Sequence, residues 1–312
     1  MDPYPRPASY CKVMPAHSAL FQRRPVAASK LDEVPYVARK INGEIVVLLG
    51  WAPAMLLQFA HPLVAAGVAE HSAFIADPRQ RPYRLRKTLE AMLALTFGTP
   101  DDALRAAQGI NAIHDRVNGR LREAAGPFPA GTEYSAHDPE LLRWVHATLM
   151  YVLPRTYELY VGPLTPAEKD RYCAEASRMG HLLGMPDGLL ATNMADLHDY
   201  VNRMLASDKI LVSRTARELA RELVWPPLPR IARPMLWLSQ LPTFGLLPPS
   251  IRAAYGFPWD ARRAAALRIT ARLTRRLLQV APARLRRWPA ARRVSTPSLC
   301  SSSSWWHHRA RE

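Results

Sequence analysis

Cysteine is scarce: Cys11, Cys173 and Cys300 stand far apart and form no CxxC or metal-finger spacing. That argues against a disulfide framework or a structural zinc site and makes a reducing cytoplasm the expected setting. The opening stretch MDPYPRPASYCKVMPAHSAL lacks a positively charged start followed by an apolar run, so no export signal is read. Strand signals are also missing, with no sustained apolar/polar alternation and no Asn-Gly or Asp-Gly turn between β-branched runs. HExxH, GxSxG and phosphate-loop glycine patterns do not occur, which leaves a hydrolase or nucleotide-binding enzyme without support. Acidic residues nearly vanish toward the end of the chain. Residues 252–312 hold 14 arginines against Asp260 and Glu312, and so carry +12 of the net charge of +16. That asymmetry describes the C-terminal end and its anionic partners, not the chemistry of the body. With no nucleic-acid-binding motif and no aromatics interleaved with the basic residues, no nucleic-acid partner is expected.

What is present is helical signal. In TPDDALRAAQGINAIHDRVNGRL, Thr99 is a plausible cap, Pro100 takes the first helical position and two acids follow. Its apolar face reads as Leu104, Ala107, Ile110, Ile113 or His114, and Val117. LTPAEKDRYCAEASRMGHLLGMP repeats that opening with Thr165, Pro166 and Glu168, and ends at Gly184. DPELLRWVHATLMYVLPRTYELYVG and residues 189–205 complete the middle of an all-α domain. Residues 45–69 carry no formal charge and are long enough to weigh as a membrane span. Pro53, Gln58, His61 and Pro62 instead favour a buried central segment. At 48% hydrophobic residues the chain can fill one large core. The expected organisation is an N-terminal arm over 1–34, a helical domain over 35–285 and a low-complexity basic tail over 286–312, disordered at its end. Within it, the helix over 260–279 sets Leu267, Leu273 and Leu277 against arginines, which suits packing on the body or lying on an anionic membrane surface.

Several polar groups interrupt the apolar helices. His146, with Leu142, Arg143, Leu149 and Met150 on its face, is either a core histidine bonded to a carbonyl or an axial ligand for haem iron. Arg143 would then neutralise a haem propionate, or pair with Glu140 or Asp138. His114 lies on a polar stripe with Asn111 and Asn118, consistent with an interhelical network or a supporting role at a cofactor. His61, before Pro62, sits where a helix should kink, with a structural role or a place at the cofactor. Glu70 ends the charge-free segment as a solvated helix end or, beside an apolar cavity, as a base.

Taken in order, QFAHPLVAAGVAEHS, DPRQRPYRLRKT, FGT, HDRVNG, WVHATL and LTPAEKDRY resemble the bacterial branch of the mpaB/rubber oxygenase catalytic-domain family, over about residues 35–255. The resemblance implies a globin-like all-α domain around a non-covalently held haem b, in keeping with the lack of CxxCH. It implies His146 as iron ligand with Arg143 as companion, matching the family's Arg-x-x-His unit, while Met150 stands where rubber-cleaving members have a further arginine. It also implies Arg84 and Thr88 as a distal Arg-x-x-x-Thr unit, stabilising negative charge and donating a hydrogen bond, and Glu70 as the group removing an allylic proton. The expected reaction joins dioxygen to a hydrophobic, isoprenoid or otherwise alkene-containing substrate lying along the segment from Met55 to Val68. Two alternatives stay open. One is a peroxidase-like or dehydrogenating enzyme on a small metabolite; the other is a membrane-associated haem or lipid carrier without turnover.

Overall fold

The computed structural model describes residues 36–71, 81–226 and 229–293. It is all-α apart from one small hairpin. The helices are α1 (Tyr36–Asn42), α2 (Trp51–Phe59), α3 (Pro62–His71), α4 (Arg81–Phe97), α5 (Pro100–His114), α6 (Pro139–Tyr160) and α7 (Pro166–Leu182). They continue as α8 (Met194–Ala206), α9 (Arg214–Val224), α10 (Arg233–Gly245), α11 (Pro249–Ala254), α12 (Ala261–Val280), α13 (Ala283–Arg286) and α14 (Pro289–Arg293).

Helix α6 is the axle. Asp138 caps it, its carboxylate accepting from the Glu140 and Leu141 amides, and Pro139 occupies the first position, where an N–H would be unsatisfied anyway. Nearly every face is then covered: Leu141, Trp144, Met150, Val152, Leu153 and Tyr157 are all buried. Only Glu140 at its start and Arg155 near its end are exposed, so most of the helix lies in the interior. Helices α2, α7, α8 and α12 pack around it, together with the 3-10 turn Ile45–Gly50. The indole N–H of Trp144 donates to the Leu57 carbonyl over 3.1 Å, tying α6 to α2. Gly50 lets the 3-10 turn touch α6, since a Cβ there would collide with the Thr156 hydroxyl and lie 3.1 Å from Leu153.

Both capping signals read from sequence form as expected. Thr99 and Asp102, and likewise Thr165 and Glu168, make reciprocal capping boxes, and Gly184 closes the end of α7 with φ +89°. The charge-free segment is buried and broken. Its halves, Ile45–Phe59 and Pro62–His71, bend by 110° where Pro62 follows His61. Among the described residues no single helix is long and apolar enough to cross a membrane.

Two expectations need correction. The inward face of α5 is Ala103, Ala107 and Asn111, while Leu104 and Ile113 are exposed. Small side chains there admit α4 and α7 at close range, and hydrophobicity alone does not report that preference. Strands do occur: β1 (Asn118–Arg120) pairs antiparallel with β2 (Glu133–Ser135), Gly119 opposite Tyr134. Strands of three residues are too short to display a period. The described residues after 286 dock on the body. The Trp288 amide donates to the Gly43 carbonyl over 3.0 Å, and Ala291 on α14 is buried. Arg286 and Arg287 lie 3.6 and 3.8 Å from the buried carboxylate of Glu44. The N-terminal arm and the remainder of the expected tail lie outside the described residues.

Candidate active site

His146 opens into a cavity of about 220 Å³ between α1, α4, α5, α6 and α7. Its walls are largely apolar, with Met92, Leu149, Leu153, Met179 and Leu182 among them. The imidazole is buried, and its Nε2 lies 2.9 Å from the Ala176 carbonyl oxygen on α7. A carbonyl can only accept, so Nε2 carries the proton and donates. Burial is the main force that lowers the ring's pKa to about 4, and His181 adds to it. At neutral pH the ring is therefore uncharged, with its lone pair on Nδ1.

Two cations share this cavity. Arg39 on α1 donates from Nε to the Thr96 carbonyl over 3.0 Å, and Arg178 comes from α7. Burial, and then the neighbouring Arg178 charge, holds the Arg39 pKa below its usual value, while Glu175 opposes them. Glu175 is itself bound, accepting from the Ala38 amide at 2.7 Å and from Arg171 at 2.8 Å. The cavity thus sets an uncharged imidazole and apolar walls beside two guanidiniums, suited to an apolar body bearing acidic groups. Sequence reading missed Arg39 and Arg178. Each is an ordinary basic residue on its own amphipathic helix, and only the packing of α1 against α7 brings them together.

The other residues singled out from sequence fall elsewhere. Arg143 does not line the cavity; its guanidinium lies 4.0 Å from the centre of the Tyr200 ring and 3.9 Å from Glu140. Thr88 is exposed on α4, and Arg84 lies one turn before it on the same helix. Met92 and Thr96, which do line the cavity, continue that row of every fourth residue. Glu70 joins α3 to the hairpin, accepting from the Tyr134 hydroxyl at 2.6 Å and from Arg122 at 2.8 Å. His61 is buried at the α2–α3 bend, its ring 5.3 Å from that of Phe128 and its Nδ1 without a hydrogen-bond partner. His114 closes α5 beside His137, the ring centres 5.8 Å apart. Burial first, and then Lys209 for His61 and His137 for His114, lowers both pKa values to about 4. Neither ring lines the cavity, nor does the Met55–Val68 segment, whose side chains belong to the core.

A family model described as ER-bound oxygenase mpaB/B'/Rubber oxygenase, catalytic domain, matches residues 39–276. The chain belongs to this family. The oxygenase-domain match takes in the end of α1 from Arg39, helices α2 to α11 whole and most of α12, and so most of the wall around His146. Two uncharacterised proteins, one from Mycobacterium bovis and one from Mycobacterium tuberculosis, are each 29% identical over 216 residues, covering 67% of this chain and 80% of theirs. No solved structure matches the chain. Membership of an oxygenase catalytic-domain family places the protein among oxidoreductases at that level of description.

Proposed function

We propose that the protein is a haem b-dependent oxygenase acting on a hydrophobic substrate with dioxygen. The observation that carries the reading is the neutral His146 imidazole inside an apolar cavity that also holds Arg39 and Arg178. Among the described residues no group of three or more His, Cys, Asp or Glu side chains could hold a bare metal ion. A haem asks less of the protein, because its ring supplies four nitrogens and one axial imidazole suffices. The residues present fit that demand in kind: His146 would hold the iron, Arg39 and Arg178 would meet the propionates, and Leu149, Leu153 and Leu182 would supply apolar surface for the macrocycle. Size sets a condition. A cavity of about 220 Å³ is below the ~300–1,000 Å³ usual for such ligands, so Met92 and Met179, the most pliable lining side chains, must yield on loading.

When bound, the haem would supply oxygen activation, the chemistry that gives the family its name. The chain's own residues do the rest. The Ala176 carbonyl accepts a hydrogen bond from the Nε2–H of His146, which fixes the tautomer and leaves the lone pair on Nδ1 to face a metal; ligation through Nε2 would require the ring to leave that carbonyl. The leucine and methionine walls exclude water and favour an apolar substrate by burying its surface. Met150, buried on the same helix, keeps a third guanidinium out of the site.

The test is direct. Purify the protein from cells supplied with haem precursor, and record its absorption spectrum and pyridine haemochrome beside the His146→Ala variant. About one haem per chain is expected for a single-site b-type protein, with the Soret band lost or shifted in the variant. A folded wild type that takes up no haem would overturn the reading and leave His146 as a core histidine bonded to Ala176.

A further inference from the structure

Among the described residues, helix α12 is covered on one side only. Leu267 and Ala271 pack with Leu241 of α10 and Tyr160 of α6, and the Arg275 guanidinium donates to the Glu158 and Leu159 carbonyls near the end of α6. On the opposite side two rows run side by side. One is apolar: Ile269, Leu273, Leu277 and Val280, with relative exposures of 53%, 53%, 66% and 81%. The other, one residue earlier, is Arg268, Arg272 and Arg276, all exposed. Eleven rises of about 1.5 Å from Ile269 to Val280 make the apolar ridge roughly 16 Å long. Nearby α10, which packs on α12, exposes Met235 (69%), Trp237 and Leu238, preceded by Ile231 (90%).

Acid is almost missing from this part of the chain. Between Leu223 and Arg293 the sequence holds one acidic residue, Asp260, and its carboxylate is engaged by Arg263. Among the described residues none of Arg268, Arg272 and Arg276 has a carboxylate partner. Leucines left in water beside unneutralised arginines are costly on a surface meant only for solvent. The combination matches a helix lying in a lipid interface, its apolar row sunk among acyl chains and its arginines snorkelling to anionic headgroups.

We propose that the exposed face of α12 docks the protein on an anionic lipid bilayer. The arginine row gives attraction to negative headgroups, and the apolar row gives the insertion that a purely ionic partner would leave unused. A nucleic acid would engage the arginines but bury none of Leu273, Leu277 and Val280. Delivery to a bilayer would bring an enzyme with an apolar cavity to where apolar substrates collect.

The full chain would be sedimented with vesicles of phosphatidylcholine alone and of phosphatidylcholine mixed with phosphatidylserine. Binding is expected only to the anionic vesicles and should weaken with added salt. Reversing charge in the triple variant Arg268→Glu/Arg272→Glu/Arg276→Glu should weaken it about a hundredfold or more, from the contribution of each arginine near such a surface. The variant Leu273→Ser/Leu277→Ser should weaken it about tenfold through lost insertion. Circular dichroism of both variants should match wild type, because all five side chains are exposed. Wild type that fails to sediment with anionic vesicles would overturn the proposal. So would vesicle binding unaffected by the leucine substitutions, or binding to a DNA duplex that needs the arginines and ignores the leucines.

Discussion

His61 makes stability sensitive to acid in a way that can be worked out in advance. Its pKa drops from 6.5 to about 4, chiefly through burial and secondly through Lys209. The unfolded chain therefore takes up a proton at higher pH than the folded one does. The sign follows: stability is unaffected well above pH 6.5, falls as pH drops from about 6.5 toward 4, and loses nothing further from this group below that. At 1.36 kcal/mol per unit, the full effect is about 3 kcal/mol, a large part of the ~5–15 kcal/mol that holds a typical domain together. The assay is urea unfolding at pH 7.5, 5.5 and 4.5, on wild type and on His61→Leu. The leucine variant should lose less stability than wild type between the first and last of these, by about 2–3 kcal/mol. At pH 7.5 the variant should be near wild type, because it also removes a buried Nδ1 that has no partner. Equal pH dependence in the two proteins would refute the reasoning and mean that the ring is protonated, or reached by water, in the folded state. His114 and His146 are shifted in the same direction, so a residual slope from them remains in both proteins.

Replacing Gly50 by alanine should destabilise the protein by about 1–3 kcal/mol, since the new methyl meets Thr156 and Leu153 on the central helix; thermal melting checks it, and an unchanged midpoint would mean that the 3-10 turn moves freely. Tyr134→Phe should cost about 1–2 kcal/mol by removing the hydroxyl that donates to Glu70, while haem uptake stays the same because this cluster does not line the His146 cavity; lost cofactor in a stable variant would give Glu70 a role at the site.

Local chemistry wrote much of the fold plainly. Thr99, Asp138 and Thr165 each stand before a proline and an acid, so their helices begin where their side chains can satisfy the first free amides. His61-Pro62 forbids one straight helix through residues 45–69, and the 110° bend follows. His146, too, was legible as a polar atom on an apolar helix face that needed either a partner or a ligand. The α5 face was not, because alanines that allow close approach look less hydrophobic than the leucine and isoleucine left in water. The hairpin was not, because three-residue strands show no alternation.

The sequence by itself determined the helix starts, the break in the charge-free segment and the concentration of arginine near the C-terminus, since each depends on residues within a turn or two. Tertiary structure alone decided which polar groups share a cavity. Arg39 and Arg178 are far apart along the chain and meet His146 only because α1, α6 and α7 pack together, whereas Arg143, one turn from that histidine, is drawn to Tyr200. Proximity along a helix is set by its 3.6-residue period. Proximity between helices is set by which faces bury, and that depends on every other helix in the core.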